Sequence, residues 1–258
     1  MMVNVVEFLF FLQGLNPWII FATHVLVCGA LIILLSKTLG LLGLYLYGAV
    51  VTIAANIAVL KIVFFPIYEK PIALGTVLFM SLFLCSDLIN EFFGKKSAIR
   101  LIWVGFLSYF IFFIFMYFIL AYSPFETNLD IQKSLMLLFT PAPAIFIASL
   151  VAYFSSQYAD ALIYSMIHQL TGDRYLWVRA FVSSFFAALL DNTVFSILLW
   201  CVFMPHPKSI GEIFWTYIVG IFVLRILLSF LNIGFMYLIK QWQWIIFDKG
   251  STEGAKIK

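Results

Sequence analysis

Apolar residues occur along the chain in long blocks that short polar stretches interrupt. A helix needs about 20 consecutive apolar residues to cross about 30 Å of hydrocarbon. Seven blocks have about this length, and they cover residues 18–36, 41–65, 71–92, 100–122, 142–166, 180–203 and 214–239. The pattern therefore predicts an all-α, polytopic membrane helical bundle with seven transmembrane helices.

The stretches between the blocks are mostly short. The longest are residues 123–141 and 167–179, which we interpret as loops. The first dozen residues are apolar but too short to span a bilayer, and they lack a basic flank and a small-residue cleavage site. They do not predict a cleaved signal peptide.

Composition excludes an ordinary soluble domain. Hydrophobic residues make up 64% of the chain and charged residues only 10%. Soluble domains contain far more charge and far less apolar surface. The lipid bilayer is thus the first expected partner of this chain.

Basic residues predict the orientation, because short cytoplasmic loops retain Lys and Arg. Ten of the fifteen fall on one side, namely Lys37, Lys95, Lys96, Arg100, Arg174, Arg179, Lys240, Lys249, Lys256 and Lys258. The other side carries Lys61, Lys70, Lys133 and Lys208. This asymmetry places the N-terminus outside and the C-terminus in the cytoplasm. The net charge of +3 then reflects topology, and no nucleic-acid partner is expected.

Asp191 and Arg225 each lie eleven residues inside an apolar block. A charge at the centre of a membrane helix costs roughly 2.5 to 3.5 kcal/mol, so each needs a partner. At about 1.5 Å per residue both reach about 16 Å, near the midplane, on consecutive antiparallel helices. We therefore predict a direct ion pair. It could contact a ligand, or it could only fix the packing of two helices.

Other polar side chains share helix faces inside the blocks. Asp87 and Glu91 lie at i and i+4 on the third block, and Gln157 and Asp160 at i and i+3 on the fifth. By the same rise, Asp87 and Gln157 are deep enough to line a cavity, whereas Glu91 and Asp160 lie near the cytoplasmic boundary, where we expect water to solvate them. Further polar residues that could converge inside the bundle are Asn56, Ser229 and Asn232.

No enzyme template fits this chain. The three histidines are scattered, no glycine-rich phosphate loop occurs, and the three cysteines lie singly within blocks. We expect neither catalysis nor a metal or other cofactor. Carboxylates and amides within the bilayer, with aromatic residues around them, instead favour a transporter that binds a small polar ligand.

Two sets of motifs resemble a known family. The sequence DLINEFFGKK at residues 87–96, followed by Arg100 and Trp103, is similar to the queuosine precursor transporters within the vitamin uptake transporters. SQYAD at 156–160, YLWVR at 175–179, two serines at 183–184 and Asp191 follow the same family's order and spacing. Next to this aspartate, the chain has Ala188 and Asn192 where the family often has Gln and Thr.

The resemblance covers residues 41–239 and implies a domain division. Residues 1–40 would form an N-terminal segment with an additional transmembrane helix, 41–240 a six-helix transporter core, and 241–258 a cytoplasmic tail. The implied function is uptake of 7-deazaguanine bases, such as queuine and 7-cyano- or 7-aminomethyl-7-deazaguanine, for tRNA queuosine salvage. The implied location is the bacterial cytoplasmic (inner) membrane, which the chain crosses many times.

The expected ligand, a purine-like base, suggests which residues bind it. A guanine-like edge presents adjacent N–H donors that a carboxylate accepts, while its carbonyl oxygen needs a donor from Asn, Gln or Arg. The predicted ligand-binding residues are Asp191, Arg225, Gln157, Asn192, Asp87, Asn56 and Asn232.

Alternative functions remain open from the residues alone. The nearest is a vitamin-binding subunit of an energy-coupling-factor transporter, which has a similar six-helix core and depends on a coupling ATPase module. Ala54 and Ala58 give the second block a small-xxx-small face that could dock such a module. An intramembrane enzyme or a structural membrane protein ranks lower. The sequence leaves open a homo-oligomer, the energy source and the choice of base.

Overall fold

The computed structural model describes residues 2–65, 71–139, 143–203, 209–214 and 220–241. The predicted tail, apart from its first residue, lies outside these ranges. The helices in chain order are α1 (Met2–Gln13), α2 (Pro17–Ala58), α3 (Gly75–Phe93), α4 (Lys95–Ala121), α5 (Leu129–Phe139), α6 (Pro143–Thr171), α7 (Leu176–Ile197), α8 (Ile210–Glu212) and α9 (Gly220–Gln241). A 3₁₀ turn (Glu126–Asn128) precedes α5, and a π-helical segment (Leu198–Phe203) continues α7.

The predicted polytopic helical membrane protein is confirmed. Within the described ranges, five helices are long and apolar enough to cross a membrane: Pro17–Ala58, Gly75–Phe93, Lys95–Ala121, Leu176–Phe203 and Leu224–Gln241. The predicted block 142–166 corresponds to α6, which runs from Pro143 to Thr171. The first predicted block and most of the second lie in α2, so the count of seven spans stays a prediction.

Helix α2 reverses its direction at Gly40. A straight helix of its 42 residues would be about 63 Å long, twice the hydrocarbon thickness. Gly40 instead has φ 59° and ψ −133°, a conformation that glycine adopts without a steric penalty. The side chains of Cys28 and Tyr47 touch, although a straight helix would hold them about 28 Å apart. The two segments of α2 are therefore antiparallel neighbours, divided where the apolar pattern places the block boundary.

A short β hairpin, which the all-α prediction did not include, lies between α2 and α3. Strands β1 (Ile62–Phe64) and β2 (Pro71–Ala73) pair antiparallel, with Val63 opposite Ile72. The backbone N–H of Leu74 donates to the Lys61 carbonyl at 3.0 Å and extends this pairing. Counting apolar residues could not detect the hairpin, because β-branched and aromatic residues satisfy both patterns.

Helix α3 is the centre of the bundle, and α2, α4, α6 and α9 all pack against it. Its consecutive residues Leu82, Phe83, Leu84 and Cys85 are all buried, which is typical of a helix enclosed on every face. Helix α4 lies at the periphery and exposes large apolar side chains such as Phe118. Lipid covers such a face in a membrane.

The first segment of α2, predicted as an additional helix, packs into the bundle. Phe21, Val25 and Cys28 belong to one buried cluster with residues of α3 and α9. The backbone at Gly29 approaches the ring of Phe235 so closely that a β-carbon there would collide with it. The additional helix therefore helps to enclose the core.

Both long loops predicted from the sequence are partly helical. The stretch 123–141 contains the 3₁₀ turn and α5, and 167–179 is helical except for residues 172–175. Gly172 and Tyr175 have φ of 55° and 56°, which lets the chain turn within four residues. Helix α5 carries Asp130 and Lys133 at i and i+3, paired at 3.4 Å on its exposed face. At 11 residues, α5 is too short to span a bilayer, so a search for apolar blocks of span length leaves it in a loop.

Replacing Gly105 by alanine should destabilise the fold. A β-carbon at Gly105 would lie 2.7 Å from Thr52 Oγ1 of α2 and would collide with the Tyr153 hydroxyl of α6. We expect Gly105→Ala to lower the unfolding free energy by about 1 to 3 kcal/mol, seen as a lower thermal unfolding midpoint in detergent. Gly234→Ala is the matched control, because nothing lies within 4 Å of a β-carbon there. Equal midpoints for the two variants would contradict the packing described.

Candidate functional site

The main cavity lies among α3, α6, α7 and α9, beside β2 and the end of α2. It contains about 610 Å³ of space free of protein atoms, part of which is open to the surroundings. Its lining residues are Val59, Ala73, Thr76, Phe79, Ser149, Ala152, Asp191, Asn192, Phe195, Ser196 and Arg225. Three of the seven predicted site residues, Asp191, Asn192 and Arg225, thus meet at one cavity.

The predicted ion pair is confirmed. Arg225 Nη1 donates to Asp191 Oδ2 at 2.6 Å, and the two side chains are only 7% and 14% exposed. Ser156 Oγ on α6 donates to the other carboxylate oxygen of Asp191 at 3.3 Å. Asp191 therefore joins three helices at the cavity wall.

Two buried donors at this wall lack an acceptor among the described residues, namely Arg225 Nε and Asn192 Nδ2. Buried donors in folded proteins nearly always have a partner, whether protein, water or ligand. Phe79 of α3 and Phe195 of α7 add aromatic surface to the same cavity. A carboxylate, a guanidinium, an amide and two rings suit a flat, polar ligand.

The structure places the two other predicted asparagines elsewhere. Asn56 borders a second cavity of about 410 Å³, and its amide donates to the Thr52 carbonyl at 2.8 Å. Asn232 borders a third cavity of about 240 Å³ and donates to the Met80 carbonyl at 2.8 Å. The second bond ties α9 to α3. Neither amide lines the main cavity.

Asp87 and Gln157 are buried below the main cavity rather than at its wall. They are 2% and 1% exposed. The Asp87 carboxyl lies within hydrogen-bonding reach of Asp160 and of the Ser183 hydroxyl. The sequence predicted their depth, but not the contact between Asp87 and Asp160.

Glu91 is the centre of an ion network that sequence reasoning missed. Its Oε1 accepts from Arg179 Nη2 at 2.5 Å and from Lys240 Nζ at 3.0 Å, and its Oε2 accepts from the Tyr164 hydroxyl at 2.8 Å. His168 Nδ1 lies 3.9 Å from Oε2. We call these five residues the Glu91 network. It joins α3, α6, α7 and α9 at the end of the bundle that carries Lys95 and Lys96.

Arg179 is fully buried, with 0% of its side chain exposed. Besides Glu91, its Nη1 donates to the carbonyls of Gly172 and Arg174 at 2.8 and 3.0 Å, and thereby fixes the turn between α6 and α7. The apolar pattern places Arg179 in a loop, because the apolar block begins only at residue 180. Helix α7 begins earlier, at Leu176.

The expectation that water solvates Glu91 and Asp160 is wrong. The Glu91 side chain is 4% exposed and Asp160 is 0% exposed. The family-like motif offered a signal, since Glu91 follows Asp87 by one helical turn on the same face. Depth alone cannot distinguish solvent from protein neighbours near a helix end.

Comparison with known proteins gives a family and a relative. The family model described as "Putative vitamin uptake transporter" matches residues 73–239. The chain is 26% identical over 226 residues to a protein of Bacillus subtilis (strain 168) named "Probable queuosine precursor transporter". The match covers 87% of this chain and 93% of that protein. No solved structure matches the chain.

Replacing Glu91 by glutamine should strongly destabilise the protein. Removing one partner of a buried ion pair leaves an uncompensated charge, which costs about 3 to 5 kcal/mol. We expect Glu91→Gln to lower the thermal unfolding midpoint by roughly 10 °C in detergent. Asp130→Asn is the control, because Asp130 pairs with Lys133 on an exposed surface. A Glu91→Gln midpoint close to the wild-type value would show that the network contributes little.

Proposed function

The chain belongs to the vitamin uptake transporter family, and we propose that it imports 7-deazaguanine bases, precursors of tRNA queuosine, across the bacterial cytoplasmic membrane. The observation that carries this proposal is the Asp191–Arg225 pair beside Asn192 at the wall of the main cavity. The name of the Bacillus relative supports the class of ligand. The basic end of the bundle would face the cytoplasm.

The polar groups of the cavity complement a deazaguanine edge. The ring N–H and the exocyclic amine are adjacent donors that the Asp191 carboxylate can accept. The carbonyl oxygen of the base can accept from Asn192 Nδ2 or Arg225 Nε, the two donors that lack an acceptor among the described residues. A bound base would thus satisfy groups that protein contacts leave unpaired.

The apolar lining suits the faces of the base. Phe79 and Phe195 stand on different helices of the cavity, and an aromatic ring can stack on a flat heterocycle. Val59, Ala73 and Ala152 complete a lining without further charge. Such a site would favour planar bases over sugars or amino acids of similar polarity.

The ion pair would also have a role between transport events. With no ligand bound, each charge neutralises the other and reduces the cost of burying both within the bilayer. A bound base would compete for the Asp191 oxygens without removing Arg225 from its place. The Glu91 network would close the cytoplasmic side, and it would have to open for release.

The first test uses purified protein alone in liposomes, with labelled 7-cyano-7-deazaguanine and then queuine as substrates. We expect wild-type protein to transport the base, and Asp191→Asn or Arg225→Gln to reduce uptake at least about tenfold. Loss of one charged hydrogen bond of about 1.5 to 3 kcal/mol supports this size. If both residues contact the ligand, the double variant Asp191→Asn/Arg225→Gln stays as inactive as either single one.

The exposed Asp130–Lys133 pair provides the matched control, and Asp130→Asn/Lys133→Gln should leave uptake unchanged. Restored uptake in the double variant at 191 and 225 would mean that the pair only holds two helices together. Uptake that appears only with an added ATPase module would favour the energy-coupling-factor alternative.

The second test concerns stacking in the main cavity. Phe195→Leu keeps an apolar side chain but removes the ring, so we expect the KM for the base to rise about fivefold with little change in maximal rate, for a stacking contribution of about 1 kcal/mol. Concentration-dependent uptake measures this change. Phe186→Leu on the same helix is the control, since Phe186 is exposed. Equal KM values for the two variants would exclude Phe195 from ligand contact.

A further inference from the structure

Three helices repeat one spacing from the main cavity to the Glu91 network. On each helix, a residue at the cavity level and a buried polar side chain are eight residues apart, and a member of the network lies four residues beyond. These positions follow the chain direction on α3 and α6 and run against it on α7. The sets are Phe79, Asp87 and Glu91 on α3, Ala152, Asp160 and Tyr164 on α6, and Asp191, Ser183 and Arg179 on α7. At 1.5 Å per residue, the middle level lies about 12 Å from the cavity level and about 6 Å from the network.

The middle level contains two carboxyl groups in contact. Asp87 and Asp160, which we call the acid pair, are 2% and 0% exposed and within hydrogen-bonding reach of each other. Asp87 Oδ1 and both Asp160 oxygens have no well-formed hydrogen bond among the described residues. Two ionised carboxylates so close would repel each other without water to screen them.

No cation of the described chain compensates the acid pair. Arg179 and Lys240 form their ion pairs with Glu91, and Arg225 pairs with Asp191. The titratable groups that interact with Asp87 of the pair are Glu91 from α3 and Tyr164 from α6, and Arg179 from α7 contacts both of them. Of these, Glu91 adds a further negative charge, and Arg179 already offsets it. Something other than the basic side chains of the described residues must neutralise the pair.

Two other buried polar groups near the pair also lack a partner in the described part of the chain. Gln157 is 1% exposed, lies one turn before Asp160 on the same face of α6, and leaves its Oε1 unbonded. Ser86, which is 0% exposed and adjacent to Asp87, leaves its Oγ unbonded. A buried acceptor such as Gln157 Oε1 needs a hydrogen donor. Ionised carboxylates cannot supply one, but a protonated carboxyl can.

We propose that the acid pair is a proton-binding site that couples proton entry to base import. A proton from the outer side binds a carboxylate oxygen of Asp160 or Asp87 while the main cavity is open to the outside. The O–H bond breaks, and the proton leaves to the cytoplasm, after the Glu91 network opens. One proton enters and one leaves per cycle, and no redox partner or other reactant is needed. The inference rests on the proposed import function.

The contact between the two carboxyl groups favours a proton over a metal ion. A bound cation would sit between the oxygens and surround itself with several ligands, whereas a shared proton allows direct contact. Among the described residues, no group of three or more His, Cys, Asp or Glu side chains is arranged to hold a metal. Uptake measured under a sodium gradient distinguishes a proton site from a sodium site.

The experiment uses full-length protein in liposomes and labelled 7-cyano-7-deazaguanine. An acid-outside pH gradient should raise initial uptake by wild-type protein at least about fivefold, and a sodium gradient should not. Asp160→Asn and Asp87→Asn imitate the protonated carboxyl, so both should lose the response to the pH gradient while they retain exchange of labelled for unlabelled base at equal pH. Asp130→Asn should behave like wild type.

Exchange at equal pH separates the two proposals. Absence of exchange by wild-type protein would overturn the import function. Exchange without any response to the pH gradient, or with a response to sodium alone, would overturn the proton site and leave import intact. A full pH response in Asp160→Asn and Asp87→Asn would show that the coupling proton binds elsewhere.

A second measurement applies if the variants lose exchange. Calorimetric binding of the base to detergent-solubilised protein, repeated in buffers of different ionisation enthalpy, counts the protons bound with each base. Wild-type protein should bind about one proton per base at neutral pH, and a count of zero would overturn the proposal.

Discussion

Charge buried in a bilayer must be neutralised within the bundle, and this constraint governs how the helices of this protein meet. Water is absent from the hydrocarbon core, so a carboxylate there needs a cation, a proton or several hydrogen-bond donors. The structure shows carboxylates neutralised by cations at two different levels of the bundle. Asp191 has Arg225 near the middle, and Glu91 has Arg179 and Lys240 near the basic end. Each contact brings together helices that apolar packing alone would not orient.

The sequence predicted the membrane class, most of the helices and the deep ion pair, for physical reasons. Apolar block length reports a free-energy requirement of the bilayer, and the rise per residue is fixed by helix geometry. Counting residues from the block ends therefore assigns Asp191 and Arg225 the same depth. Because block length and helix rise are so constrained, the sequence of a single chain suffices to predict a contact between two residues 34 positions apart.

The same reasoning failed for contacts that depend on which side chains are neighbours, and not on depth. The Glu91 network depends on which faces of four helices meet, and no periodicity in a single chain encodes that. Asn56 and Asn232 lie within blocks as Asn192 does, yet they border other cavities. Asn232 even shares helix α9 with Arg225, but it lies two turns further along, at the level of a different cavity. The β hairpin was missed because its residues are as apolar as those of a helix.

Helix α9 supplies a cation to both carboxylates, Arg225 to Asp191 and Lys240 to Glu91. Its ring of Phe235 also packs on Gly29, near the start of the chain. At about 5 to 20 residues per second, a ribosome needs a few seconds to extend the chain from Asp191 to Arg225. Throughout that interval the nascent bundle holds an unmatched aspartate, and the first segment of α2 lacks the neighbour that α9 supplies. The bundle of this protein is thus complete only when helix α9 enters the membrane, and a chain truncated before α9 would present quality-control proteases with an exposed polar defect.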